Sequence, residues 1–126
     1  MILSIPFALL ENIQADLYQS SADRGRVIYV DDDNIDGPWD GSWQYPFRFI
    51  QDGINISENE DTVFVFNGHY VESVVIGKSV DLIGENNEKT IIEGDETDTA
   101  IRINQGFVNI SNLKITCTDD LYSIGV

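Results

Sequence analysis

The chain of 126 residues carries seven Lys and Arg against 22 Asp and Glu, a formal net charge of −15. That balance excludes a nucleic-acid backbone or an anionic membrane surface as a favourable partner and attracts cations instead. With 42% hydrophobic residues the chain has enough apolar surface to fold as one domain or part of one; its single Cys, Met and His exclude an internal disulfide and a copper or zinc cage of soft ligands.

No run approaches the ~20 apolar residues of a membrane span. Residues 1–22 hold the short apolar segment ILSIPFALL, followed by Gln19-Ser20-Ser21-Ala22. Two readings stand for it: a signal remnant, or an amphipathic segment with Ile5, Leu9, Ile13 and Leu17 at helical spacing. Glu11 and Asp16, and the lack of a preceding Lys or Arg, weaken the first.

Residues 23–60 are expected to form an N-terminal strand, an Asp-rich loop and a capping helix. The strand is RVIYV, residues 26–30. The loop that follows, residues 31–41, is rich in Asp, Asn and Gly, which bond their own backbone or adopt positive φ. From Asp32 its spacing D-x-N-x-D-G resembles the first half of a calcium loop, placing Asp32, Asn34, Asp36 and Asp40 as candidate oxygen ligands. Pro38 and Trp43 break the second half, which favours an Asx-rich turn with solvated carboxylates over a calcium cofactor. Trp39, Trp43 and Tyr45, with Phe47 and Phe49 close behind, are either a sugar-stacking platform or aromatics that fold the loop onto the core; large aromatics are mostly buried, which favours packing. In residues 47–57, FRFIQDGINIS, the apolar residues Phe47, Ile50 and Ile54 recur at helical spacing, predicting an amphipathic cap of about three turns.

From Asp61 to the C-terminus the apolar runs are short, β-branched and separated by Asn, Gly, Lys and Ser, which predicts strands. Val63 and Val65 point inward; Phe64 and Phe66 point outward and need cover, for which the Trp/Tyr loop is nearest. Residues 63–66, 80–83 and 101–103 form one series and 74–76, 91–92 and 108–110 another, stepping by 17 to 21 residues, the period of a solenoid. The expected fold is therefore all-β, a parallel β-helix of about three coils behind a capping helix. Asn67-Gly68 is read as a corner; a two-residue hairpin there would give an antiparallel sandwich instead. His69 beside it has no titratable partner fixed by sequence, and Glu72, Asp81, Glu85 and Glu93 stand at alternate or turn positions where carboxylates are usually solvated. The run 122–126 reads like the middle of a coil, so residues 61–126 are expected to be coils of a longer array or to be covered by another molecule, including another copy stacked end to end.

The run IYVDDDN, GPWDG, YPFRFIQDGI and DTVFVFNGHYVESVVIGKSVDLIGENNEKTIIEG resembles the N-terminal portion of right-handed parallel β-helix proteins of the pectate-lyase-like superfamily, in particular NosD-type and carbohydrate-binding β-helix repeat proteins. The resemblance spans about residues 27–115 and implies an extracellular or cell-surface location. Because the superfamily's catalytic residues sit on later coils, it assigns none here. The function it implies is a non-catalytic module that binds polysaccharide or a neighbouring surface protein. The alternatives are the N-terminal part of a lyase or esterase and a structural stacking module; no nucleic acid and no membrane insertion are expected.

Overall fold

A computed structural model of the protein describes residues 25–95 and 99–117. The segment 1–22 and the run 122–126 lie outside the described residues. Nine strands and one helix follow in order: β1 (Val27–Val30), α1 (Ile50–Ile56), β2 (Asp61–Val65), β3 (Gly68–Val71), β4 (Val74–Ile76), β5 (Val80–Gly84), β6 (Thr90–Gly94), β7 (Ile101–Ile103), β8 (Asn109–Ser111) and β9 (Lys114–Cys117).

The strands form three sheets, β1-β2-β5-β8, β3-β6-β9 and β4-β7, and every strand pair is parallel. Asn67-Gly68 is a corner, since β2 and β3 belong to different sheets. The fold is all-β apart from the helix, as expected. The two predicted series are corrected. Residues 101–103 pair with β4 rather than with 80–83, and residues 91–92 pair with β3. Two short strands, β3 and β9, stand in neither predicted series: Gly68-His69-Tyr70-Val71 is not an apolar run, and Lys114–Cys117 overlaps the apolar Leu113–Ile115 that continues the strand pattern. The spacing is also uneven: Asp61 faces Val80, 19 residues on, whereas Asp81 faces Asn109, 28 residues on.

Alternation does the packing. In β2, β5 and β6 every second residue is buried, so Val63, Val65, Val80, Leu82 and Ile92 fill one interior with Val30, Ile50, Ile54, Val74 and Ile76. Each such side chain contributes about 1.5–3 kcal/mol of burial. Outside, Phe64 and Phe66 are covered as expected. Trp43 meets Phe66 edge-on at 5.2 Å and Tyr29 at 5.2 Å, and Tyr29 reaches Phe64 at 5.9 Å. Such pairs add about 0.5–1.5 kcal/mol each beyond area burial.

Helix α1 is shorter than the pattern predicted, starting at Ile50 because Phe49 is extended (φ −112°, ψ 143°). Phe49 supplies no side-chain cap. The cap comes from the connection between β3 and β4: Glu72, 22 residues after Ile50, accepts from the Ile50 amide at 2.8 Å and from the Gln51 amide at 3.0 Å. At the other end the Lys78 ammonium donates to the carbonyls of Ile54 (2.9 Å) and Ser57 (2.6 Å). An anion at the amide end and a cation at the carbonyl end are the favourable signs for a helix dipole. Gly53 lets the helix lie close on the sheet, since a Cβ there would meet Val30 at 3.0 Å and Val63 at 3.3 Å.

Candidate functional site

Four exposed aromatic side chains, Trp39, Trp43, Tyr45 and Phe49, gather on the segment between β1 and α1, and Asn34 holds that segment in shape. Its Nδ2 donates to the carbonyls of Pro38 (3.0 Å) and Pro46 (2.8 Å), tying the two limbs of the loop together. Its own carbonyl accepts from Trp39 Nε1 at 2.7 Å. Gly37, at φ 71°, leaves room for the indole, because a Cβ there would meet the Trp39 ring at 3.1 Å. Trp39 is thereby fixed on one side while remaining 48% exposed.

Beside it lies a cleft of about 270 Å³ lined by Trp39, Phe47, Arg48, Phe49 and Asp52. Phe47 packs on the core; Phe49 stays half open to solvent. The Arg48 guanidinium sits 5.2 Å over the Phe49 ring, a cation–π contact, and among the described residues it makes no hydrogen bond or ion pair. Asp52, in the first turn of α1, likewise makes no side-chain hydrogen bond among the described residues. A second cleft, about 160 Å³, is lined by Asp32, Arg48, Phe49, His69, Tyr70, Val71 and Glu72. The two clefts share Arg48 and Phe49, which stand between them, and are together called the groove.

The four candidate calcium ligands do not come together. Asn34 Nδ2 serves the loop, as above. Asp40 Oδ1 accepts from the Ser42 amide at 2.8 Å, and hydrogen bonds from Ser42 hold the Asp40 carboxyl below its ordinary pKa. Asp32 Oδ2 accepts from the His69 amide at 3.1 Å. The acidic group that does converge is Asp31, Asp32 and Asp33, whose ligand atoms lie within 4.8 Å of one another; Asp36 and Asp40 are outside it. Burial raises the Asp32 pKa; the His69 amide lowers it and the neighbouring Asp33 and Asp31 charges raise it. Asp32 also occupies the space where a Gly68 side chain would stand, which gives that corner glycine its reason.

The aromatics divide as well. Trp39 lines the cleft; Trp43, 65% exposed, leans on Tyr29 and Phe66 instead. Tyr45 works through its backbone carbonyl, which accepts from the amides of Asp40 and Gly41 at 2.9 Å each. Phe49 belongs to the aromatic group singled out from the sequence, whereas Arg48 and Asp52 read only as the polar face of a helix; the available signal was an Arg between two aromatics in an acid-rich stretch.

The lone histidine is partnered after all. His69 Nε2 lies 2.7 Å from Glu93 Oε1. Glu72, expected to be solvated, is instead the helix cap, and burial raises its pKa, with the Ile50 and Gln51 amides lowering it and Asp52 raising it. Tyr70 is buried and donates to the Phe66 carbonyl at 2.8 Å while accepting from the Asp32 amide at 3.2 Å; burial pushes its phenol far above the ordinary range. The chain matches no family model, no curated protein and no solved structure in the comparisons made.

Proposed function

We propose that the chain forms the first coils of a right-handed parallel β-helix of the pectate-lyase-like kind and acts as a non-catalytic extracellular or cell-surface module that binds polysaccharide. The observation that carries the reading is the cleft of Trp39, Phe47, Arg48, Phe49 and Asp52. Two half-exposed aromatic rings offer faces to the C–H side of a pyranose. A guanidinium and a carboxylate, neither bonded to another described residue, supply a donor and an acceptor for hydroxyls. The Trp39 indole is held before any ligand arrives, which lowers the ordering cost of binding. The β-helix reading is supported by uniformly parallel pairing and by strands that return to the same sheet after visiting the others.

Binding to a panel of soluble and insoluble polysaccharides, measured by calorimetry and by depletion, tests this. Trp39→Ala is expected to weaken binding at least about tenfold, or ~1.4 kcal/mol, with the melting temperature nearly unchanged. Absence of binding across neutral, acidic and basic polymers would sink the reading.

A further inference from the structure

The groove's charge specifies its ligand further, on the basis of the carbohydrate reading above. Its two clefts are lined by three carboxylates, Asp32, Asp52 and Glu72, and by one cation, Arg48. Glu72 is occupied by the amides at the start of α1. Asp32 uses Oδ2 on the His69 amide, and Asp52 is exposed with no side-chain hydrogen bond among the described residues. Of the other titratable groups on the second cleft, Tyr70 donates to the Phe66 carbonyl and His69 turns its Nε2 to the Glu93 carboxylate. Arg48 lies between the clefts and in ion-pair range of none of these groups. A uronate or sulfate entering here meets one guanidinium and two available carboxylates, within a chain whose net charge is −15. Like-charge contact of this kind discriminates strongly against a ligand. A protonated amine meets the opposite balance, and aromatic faces add cation–π attraction.

We propose that the groove selects polysaccharides carrying free amines, of the glucosamine type, over polyuronides and sulfated polymers. The aromatic rings take the sugar face, Arg48 takes hydroxyl or ring oxygens, and Asp32 and Asp52 take the ammonium groups on either side of the Arg48–Phe49 divide.

Titration calorimetry with three hexamers tests it: glucosamine, N-acetylglucosamine and galacturonate, at 50 mM and 500 mM NaCl. The expected result is that the glucosamine hexamer binds at least about tenfold tighter than its acetylated form at low salt. The margin shrinks at high salt as screening grows, and galacturonate binds weakest. Asp52→Asn and Asp32→Asn narrow the margin, the remote exposed variant Glu88→Gln leaves it, and Trp39→Ala weakens both glucosamine ligands together. Equal affinity for the acetylated and free hexamers, or tighter galacturonate binding, overturns the amine selection and leaves carbohydrate binding standing. No binding of any hexamer overturns both. Hexalysine binding as tight as the glucosamine hexamer and indifferent to Trp39→Ala also overturns both, because it reduces the effect to net charge.

Discussion

Among the described residues, the two ends of the strand stack are finished in opposite ways. At the first end no sheet edge is left bare. The outer edge of β1 is taken by the loop: Tyr29 donates to the Gly41 carbonyl at 2.8 Å, and Phe47 donates to Tyr29 at 2.9 Å. The outer edge of β3 is met by Asp32, which accepts the His69 amide. The outer edge of β4 is met by Gln51, whose side-chain amide accepts from Val75 N at 2.7 Å and donates to Val75 O at 3.0 Å, copying a strand partner. At the other end β7, β8 and β9 each finish a sheet, and among the described residues no loop or side chain covers the outer edges of β8 and β9. Ile103 and Ile115 are exposed there, around an apolar hollow of about 420 Å³. An edge is a liability because unpaired strand groups recruit other strands. The closed end manages it with three unrelated devices, each a side chain or loop that imitates a strand.

The comparison breaks most sharply at Asp61. Its carboxylate, only 3% exposed, accepts from Arg26 Nη2 at 3.0 Å, from the Arg26 amide at 3.2 Å and from the Glu58 amide at 2.8 Å, joining the start of β1 to the exit of α1. Asp61→Ala strands those donors, and a loss of about 3 kcal/mol is expected, measured by urea unfolding with tryptophan fluorescence. A loss below 1 kcal/mol would show that water replaces the carboxylate easily. Next comes Lys78→Met, which keeps the alkyl stem and removes the cation from the Ile54 and Ser57 carbonyls; about 2 kcal/mol is expected. Gln51→Ala removes the strand mimic from Val75. Because Val75 is 39% exposed, water recovers part of the loss, and about 1 kcal/mol is expected. Hydrogen exchange at the Val75 amide gives the sharper readout, since it should accelerate while the β5 amides do not.

Acid sharpens the same contrast. Glu72 has a pKa raised above its ordinary 4.5, chiefly by burial. A carboxyl raised in the folded state favours folding below its unfolded pKa, and that contribution is lost as pH climbs through the folded value. Asp32, raised above 3.8, acts in the same direction. Stability is therefore expected to increase on acidification from pH 7 toward about 5, helped by the partial discharge of an acidic chain. Glu72→Gln should flatten this dependence, because the neutral amide has no charge to desolvate. A melting temperature that instead falls steadily over that window would show that the two amide bonds to Glu72 outweigh its burial.

Much of this architecture is legible in the sequence, and the illegible part has one cause. The inward alternation of Val63 and Val65, the outward Phe64 and Phe66 with an aromatic cover, the helix near Ile50 and Ile54, and the Asn67-Gly68 corner all rest on local period or turn chemistry. The pairing of coils does not. Strands of three or four residues carry almost no period, so β3 and β9 entered neither series and the series shifted to the wrong partners. The groove failed for the same reason. Asp32, Asp52 and Glu72 come together through contacts 20 or more residues apart, and no spacing rule joins a loop carboxylate to a helix start or a strand end. Within the D-x-N-x-D-G pattern, Asn34 Nδ2 ties the loop and Asp32 Oδ2 caps an edge, roles that the spacing does not reveal. The same residue types suit a cation, a turn or a strand mimic.

The smallest expected effect is at Phe107, just before β8. Phe107 is 87% exposed, and its only described hydrogen bond is through the backbone, from its amide to Ser79 Oγ at 2.9 Å. Phe107→Ser keeps that bond and removes a ring that buries almost nothing. Stability is expected to stay within about 0.5 kcal/mol of the parent, against several times that for Asp61→Ala. The equality matters more than the size of the change. A loss of more than about 1 kcal/mol could not come from packing within the described residues; it would mean that something covers the ring in solution. Repeating the measurement over a hundredfold range of protein concentration then decides between covers, since only cover by another copy makes the loss depend on concentration. A small, concentration-independent effect leaves the contrast standing among the described residues, with one end sealed by side chains acting as strands and the outer edges of β8 and β9 uncovered.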